Sequence, residues 1–205
     1  MKYIIGIDEV GRGSFAGPVV VAALCLPPRT RFPKYLGALK DSKQLTATAR
    51  EAWFGYFHHH PNIQYAIAKV HPATIDRINI SRAANLAALR AYARLEKLGK
   101  LKKKAEARSI KKKDQIFLDG SLYIKNKIIS AAYGAKTIIK ADKKIPAVAA
   151  ASIIAKVIRD RLMARMAKRH PGYGFEVHKG YGTVLHQRRL KKLGPSPIHR
   201  LTFLG

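Results

Sequence analysis

Short apolar runs that lead into acidic residues constrain the fold of this chain more than any other feature of its sequence. The first such run, Tyr3–Ile7, is rich in isoleucine and is followed at once by two acids. Two later apolar runs also lead to an acid, and the acids that follow the three runs are Asp8 with Glu9, Asp119 and Asp142. In open α/β sheets, sites assemble from side chains that leave the ends of neighbouring strands. The pattern therefore predicts a sheet on which four carboxylates converge.

Strand and helix signals alternate along the chain, which predicts an α/β fold with a mixed sheet flanked by helices. Strands are expected over Lys2–Ile7, Pro18–Leu26, Asn62–Val70, Gln115–Leu118 and Ala135–Ile139, with the first two forming a hairpin. Helices are expected after a capping box at Thr48–Glu51 and after Ser81 as N-cap up to Gly99, then over Pro146 to about Arg169 and Leu185–Leu193.

Four converging carboxylates imply bound cations. Left alone they repel, and at least one keeps its proton, whereas Mg²⁺ or Mn²⁺ holds them ionised. The rest of the chain is strongly basic, with 40 Lys and Arg against 12 Asp and Glu and a net charge of +28, which favours a polyanionic partner. Acids add nothing to phosphate affinity unless they hold cations. Metal-dependent chemistry on nucleic acid is therefore favoured over binding alone.

The glycines after the first acid pair bear on its geometry. Successive residues of a regular strand point to opposite faces, so Asp8 and Glu9 are expected to share one cluster only if the strand ends or distorts there. Gly11 and Gly13 allow such a distortion. They also let backbone N–H groups come close to a ligand, because glycine has no Cβ.

Six sequence blocks follow one another in a fixed order: DEVGRGSFAGPVVVAA from Asp8, KDSKQLT from Lys40, FLDGS from Phe117, KADKKIPAVAAASIIAKVIRD from Lys140, HKGYGT from His178 and SPIHRLTF from Ser196. Together they closely resemble type 2 ribonuclease H (ribonuclease HII) over nearly the whole chain. The resemblance implies a ribonuclease H-like fold. It also implies a metal-dependent endonuclease that cuts the RNA strand of RNA–DNA hybrids and nicks DNA 5′ to embedded ribonucleotides, leaving 5′-phosphate and 3′-hydroxyl ends.

The resemblance also implies roles for individual residues. Metal binding and catalysis, with two Mg²⁺ or Mn²⁺ ions, fall to Asp8, Glu9, Asp119 and Asp142. Recognition of the ribose falls to Gly11, Arg12, Gly13 and Tyr181, and contact with a phosphate to Ser42 and Lys43. Ser152, Lys156 and Asp160 recur every four residues on one helix face, where Lys156 and Asp160 form either a plain surface pair or a support for the site.

Two other functions are compatible with parts of the sequence. A non-catalytic basic RNA-binding protein would have the same charge, but it leaves the acids after apolar strands unexplained. A type 3 ribonuclease H would carry lysine in place of Arg12 and an additional N-terminal substrate-binding domain. Both differences favour type 2.

The remaining expectations concern organisation and location. One domain is expected over residues 1–205, with a basic helical C-terminal part at about 183–205. The basic stretch at about 100–113 is either a solvated loop or an arm that contacts nucleic acid. A lone Cys25, no signal peptide and no apolar run near the roughly 20 residues of a membrane span favour a cytoplasmic protein. The absence of an evident sliding-clamp peptide after Phe203 favours a minimal monomer.

Overall fold

The computed structural model describes residues 3–101, 114–120, 122–123 and 135–205. Within these ranges one mixed sheet contains the strands β1 (Ile4–Val10), β2 (Val19–Leu26), β3 (Gln64–Val70), β4 (Gln115–Asp119) and β5 (Lys136–Ile138), in the order β3-β2-β1-β4-β5. The strand β2 is antiparallel to both β1 and β3, whereas β4 lies parallel to β1 and β5 parallel to β4. The predicted mixed sheet is confirmed.

Helices cover both faces of this sheet. In the described ranges they are α1 (Ala47–His59), α2 (Pro72–Ile78), α3 (Ile80–Leu101), α4 (Pro146–Arg169), α5 (Phe175–His178) and α6 (Val184–Leu193). The alternation of side chains along β1 separates two cores. Ile5 and Ile7 face the cluster that contains the alanines of α3. Gly6 faces α4, and a Cβ at Gly6 would lie 2.1 Å from the carbonyl carbon of Ala147, so α4 rests directly on the strand that carries the acid pair.

Two helix starts differ from the sequence prediction. The N-cap of α1 is Thr46, whose hydroxyl accepts a hydrogen bond from the Ala49 N–H at 3.2 Å, so the predicted capping box at Thr48 is wrong. The helix α3 begins directly after Asn79, whose side-chain oxygen accepts from the Arg82 N–H at 3.0 Å, and Ser81 therefore lies inside the helix. It also continues past Gly99, since a helical glycine costs only about 1 kcal/mol.

The ends of two strands also differ from the prediction. The strand β1 does not end or distort at Asp8, because it remains regularly paired with β2 as far as Val10 opposite Val20. The chain leaves the sheet only at Gly11, with φ of +86°. Asp142 does not follow β5 directly but sits in a 3₁₀ turn, Ala141–Lys143, which the left-handed Lys140 (φ +56°) introduces.

The predicted basic segment at 100–113 lies largely outside the described residues, and its role stays a prediction. In the basic C-terminal part, α6 begins at Val184 after Thr183, whose hydroxyl accepts from the His186 N–H at 3.3 Å. Among the described residues, no helix has both the length and the apolar character that crossing a membrane requires.

Candidate active site

A cavity of about 430 Å³ opens where β1 and β4 end. Its walls come from both strand ends, the glycine turn after β1, the loop before α1, the turn after β5, the helix α4 and the loop before α6. All ten site residues predicted from the sequence line it: Asp8, Glu9, Gly11, Arg12, Gly13, Ser42, Lys43, Asp119, Asp142 and Tyr181. Segments far apart in sequence thus meet at one place.

Three of the carboxylates lie close enough to hold one ion. Asp8, Glu9 and Asp119 each offer an oxygen, and these oxygens lie within 4.8 Å of one another. The parallel register explains the Asp8 and Asp119 pair, because Ile7 pairs with Leu118 and the next residue on each strand is an acid. Glu9 reaches the same cluster from a regularly paired position, and we attribute this to the extra methylene of its side chain.

Charge repulsion and burial dominate the electrostatics of Asp8. Its pKa is raised well above the ordinary value, first by burial and then by the charges of Glu9 and Asp119, while a hydrogen bond with Ser152 acts in the opposite direction. Its Oδ1 also accepts the N–H of Glu9 at 2.7 Å, which fixes the orientation of the carboxylate. A divalent cation at this point would replace the proton that burial and repulsion favour.

Asp142 lines the same cavity but is not one of the three acids within 4.8 Å of one another. The turn that carries it is tied to β4, since the Ala141 N–H donates to Asp119 Oδ1 at 2.8 Å. Its pKa is raised by burial and by the nearby charges of Asp41 and Asp119. The site thus has a tight group of three acids and a fourth on the adjoining wall.

Basic and aromatic groups form part of the rim of the cavity. The Tyr181 ring lies 5.7 Å from the Lys156 Nζ and 5.2 Å from the guanidinium carbon of Arg159, within cation–π range. Lys156 also pairs with Asp160 at 2.9 Å, so the i,i+4 pair exists while its lysine lines the cavity. The rim therefore combines a fixed aromatic ring with positive charge.

The loop before α1 completes the rim. Ser42 is buried and shares a hydrogen bond of 2.9 Å with Ser152 of α4, which attaches the loop to the helix beneath the cavity. Asp41 accepts the Lys43 N–H at 2.9 Å, and the exposed Lys43 follows directly. A hydroxyl and an ammonium group are thereby placed in the lining of the cavity that the glycine turn also lines.

Sequence reasoning did not single out two buried arginines that hold the loops of the cavity. Arg159 donates to the carbonyls of Pro18, Ala16 and Lys179 at 3.1, 3.1 and 2.8 Å. Arg200 donates to carbonyls of the glycine turn and is fully buried. Because the chain contains 40 Lys and Arg, nothing in the sequence distinguishes these two arginines from the basic residues of the surface.

A mixed sheet with helices on both faces and a carboxylate cluster at the ends of β1 and β4 defines the ribonuclease H-like class of enzymes. The family model for ribonuclease HII matches residues 5–204. The chain belongs to the ribonuclease HII family and is a ribonuclease H. The predicted family is confirmed, and a non-catalytic RNA-binding protein is not supported.

Curated relatives match the chain over almost its full length. It is 40% identical over 201 residues to ribonuclease HII of Granulibacter bethesdensis, covering 98% of this chain and 83% of that protein. It is 41% identical over 200 residues to ribonuclease HII of Endomicrobium trichonymphae, covering 98% and 84%.

Solved structures agree with this assignment. Ribonuclease H2 of Pyrococcus horikoshii superposes with a TM-score of 0.70 at 26% identity, covering 98% of this chain and 93% of that one. Ribonuclease HII of Archaeoglobus fulgidus, solved in complex with PCNA, gives a TM-score of 0.65 at 28% identity, covering 92% and 86%.

Proposed function

We propose that this ribonuclease H is a metal-dependent endonuclease. It hydrolyses the RNA strand of RNA–DNA hybrids and nicks duplex DNA 5′ to embedded ribonucleotides, leaving 5′-phosphate and 3′-hydroxyl ends. The observation that carries the proposal is the group of three acids, with oxygens within 4.8 Å of one another, in the wall of a cavity whose rim is basic. Such a group has little use in a chain of net charge +28 unless it holds cations against a phosphate.

The donor set fits Mg²⁺ or Mn²⁺. Carboxylate oxygens are the ligands these hard cations prefer. Burial, and then the charges of Glu9 and Asp119, raise the pKa of Asp8, and a bound cation would offset the repulsion between these carboxylates. Asp8, Glu9 and Asp119 would hold one ion, and Asp142 would contribute to a second. Ions held there would supply a lowered pKa for the attacking water and stabilisation of the leaving 3′-oxygen. The chain itself supplies the fixed carboxylates and the loops that position the substrate.

Recognition of the ribose is assigned to the glycine turn and Tyr181. The 2′-hydroxyl is the backbone group that distinguishes RNA from DNA, and backbone atoms of Gly11, Arg12 and Gly13 can approach it because two of the three residues lack a Cβ. The Tyr181 ring would stack on the neighbouring deoxyribose at an RNA–DNA junction. Ser42 and Lys43, which line the same cavity, would contact a phosphate of the same duplex.

We further propose that the enzyme acts as a monomer on hybrids and on ribonucleotide-containing DNA. Its role would be to start the removal of ribonucleotides from DNA. The support is the concentration of all ten site residues of one chain around one cavity, so that no second subunit is needed to complete the site. Sedimentation equilibrium should give a mass near 22.8 kDa. A mass near twice that value would contradict the monomer.

The direct test of the function uses an end-labelled DNA duplex with one embedded ribonucleotide, incubated with Mg²⁺, with Mn²⁺ or with EDTA. We expect a single cut 5′ to the ribonucleotide, dependent on the metal, and a product that DNA ligase can reseal because it carries a 5′-phosphate and a 3′-hydroxyl. The same duplex without the ribonucleotide is the control. Cleavage in EDTA, or equal cleavage of the all-DNA control, would refute the proposal.

A further inference from the structure

Arg200 lies directly behind the glycine turn of the cavity. Its guanidinium donates four hydrogen bonds within the described ranges: to the carbonyl of Gly11 at 2.6 Å, to the carbonyl of Arg12 at 2.7 Å, and twice to the carbonyl of Gly17, at 3.0 and 2.8 Å. The side chain is fully buried. One side chain therefore fixes both ends of the turn between β1 and β2.

Because the peptide bond is planar, these contacts also determine the direction of the N–H groups in the glycine turn. In a trans peptide the C=O of one residue and the N–H of the next point in opposite directions. Because the carbonyls of Gly11 and Arg12 both point at the guanidinium, the N–H groups of Arg12 and Gly13 both point away from it. Gly11, Arg12 and Gly13 line the cavity. Two successive N–H groups on one side of a turn form a concavity that binds electronegative oxygen.

The surroundings of Arg200 hold it in one place. Backbone hydrogen bonds join the Arg200 N–H to the Phe15 carbonyl at 2.8 Å and the Gly17 N–H to the Ile198 carbonyl at 2.8 Å. The Phe203 ring lies 5.1 Å from the guanidinium carbon. Burial and the charge of Arg159 lower the pKa of Arg200 to about 9, so the group stays charged at neutral pH. A lysine could not reproduce these contacts, because its ammonium lacks the planar fork.

We propose that Arg200 is a positioning residue that sets the preference of the enzyme for ribose over deoxyribose, by aiming the N–H groups of Arg12 and Gly13 into the cavity. This inference rests on the proposed role of the glycine turn in reading the 2′-hydroxyl. Arg200 itself touches no substrate. Its loss should therefore weaken the recognition of a ribonucleotide and leave the affinity for the rest of the duplex unchanged.

The test compares two affinities for each variant, measured by fluorescence anisotropy with Mg²⁺ present. The ligands are a DNA duplex with one ribonucleotide and the same duplex without it, and an Asp119→Asn background prevents cleavage. We expect Arg200→Lys to reduce the ratio of the two affinities about tenfold, which is the effect of losing one well-placed hydrogen bond. Arg161→Lys is the matched control, since Arg161 is an exposed partner of Glu51 on the same enzyme. Arg161→Lys should leave the ratio of the two affinities equal to that of the Asp119→Asn background protein.

Each outcome decides the inference. A reduced ratio in Arg200→Lys alone supports it, and an unchanged ratio in a folded Arg200→Lys overturns it. If Arg200→Lys does not fold, Phe203→Leu decides, because it keeps the guanidinium and removes only the ring packed on it. A ratio reduced by about threefold in that variant supports the inference, and an unchanged ratio overturns it. A background protein without any preference for the ribonucleotide overturns the proposed function and this inference with it.

Discussion

Replacing Asp8 with asparagine should make the metal-free protein more stable while it abolishes cleavage. Asp8 is 5% exposed, and its oxygen lies within 4.8 Å of oxygens of Glu9 and Asp119. Two unit charges at that separation repel by about 3.5 kcal/mol at an effective dielectric constant of about 20. Relaxation and proton uptake reduce this value, and we expect a net gain of about 2 kcal/mol for Asp8→Asn, or about 4–8 °C in Tm for a chain of this size.

Thermal unfolding followed by circular dichroism, in EDTA and in saturating Mg²⁺, measures this gain. Mg²⁺ should stabilise the wild-type protein more than the variant, because the variant has lost a ligand. The gain in EDTA should shrink as the pH falls, since the raised pKa of Asp8 lets the folded wild-type protein take up a proton before the unfolded chain does. Asp160→Asn is the control, because its carboxylate pairs with Lys156 and its loss should not stabilise. An Asp8→Asn variant that is no more stable than wild type in EDTA would refute the repulsion argument.

Three further perturbations test other parts of the structure. Tyr181→Ala should lower kcat/KM at a lone ribonucleotide at least about fivefold more than on an all-RNA strand, because stacking on the junction deoxyribose is lost; equal losses on both would contradict that role. His199 has a pKa lowered to about 4 by burial and His186, so urea unfolding should show stability falling as the pH drops from about 6.5 to 4, and His199→Asn should flatten this slope. Gly6→Ala should cost about 3 kcal/mol or more in the same assay, since its Cβ would meet the backbone of Ala147 at 2.1 Å, and a smaller cost would mean that α4 can shift.

The sequence predicted the sheet and the convergence of the strand-end acids because both leave local signals, whereas the substrate-binding residues were implied only by the resemblance to ribonuclease HII. An apolar run that leads into Asp8 or Asp119 is visible in the sequence, and the parallel register of β1 and β4 then brings the two acids together. That Glu9 joins the cluster from a regularly paired position was not predictable, because strand alternation alone directs its side chain to the other face and the reach that overcomes this depends on the tertiary arrangement.

The positions of Asp142 and Arg200 lay beyond sequence reasoning for a different reason. Asp142 is placed by Lys140, which has a left-handed backbone conformation. Lysine rarely adopts this conformation, and no local sequence pattern predicts it here. Arg200 acts across more than 180 residues of chain, on the carbonyls of Gly11 and Arg12, and long-range contacts of this kind leave no periodicity.

In the proposed function the acids hold the catalytic metal and the basic surface binds the duplex, and one variant separates these two roles. Asp119→Asn removes a single charge from the cluster and leaves the cationic surface intact. Single-turnover cleavage of an RNA–DNA hybrid in Mg²⁺ should become undetectable, while the affinity for the same hybrid stays within about twofold of wild type. Cleavage by Asp119→Asn at the wild-type rate would remove the carboxylate cluster from the mechanism.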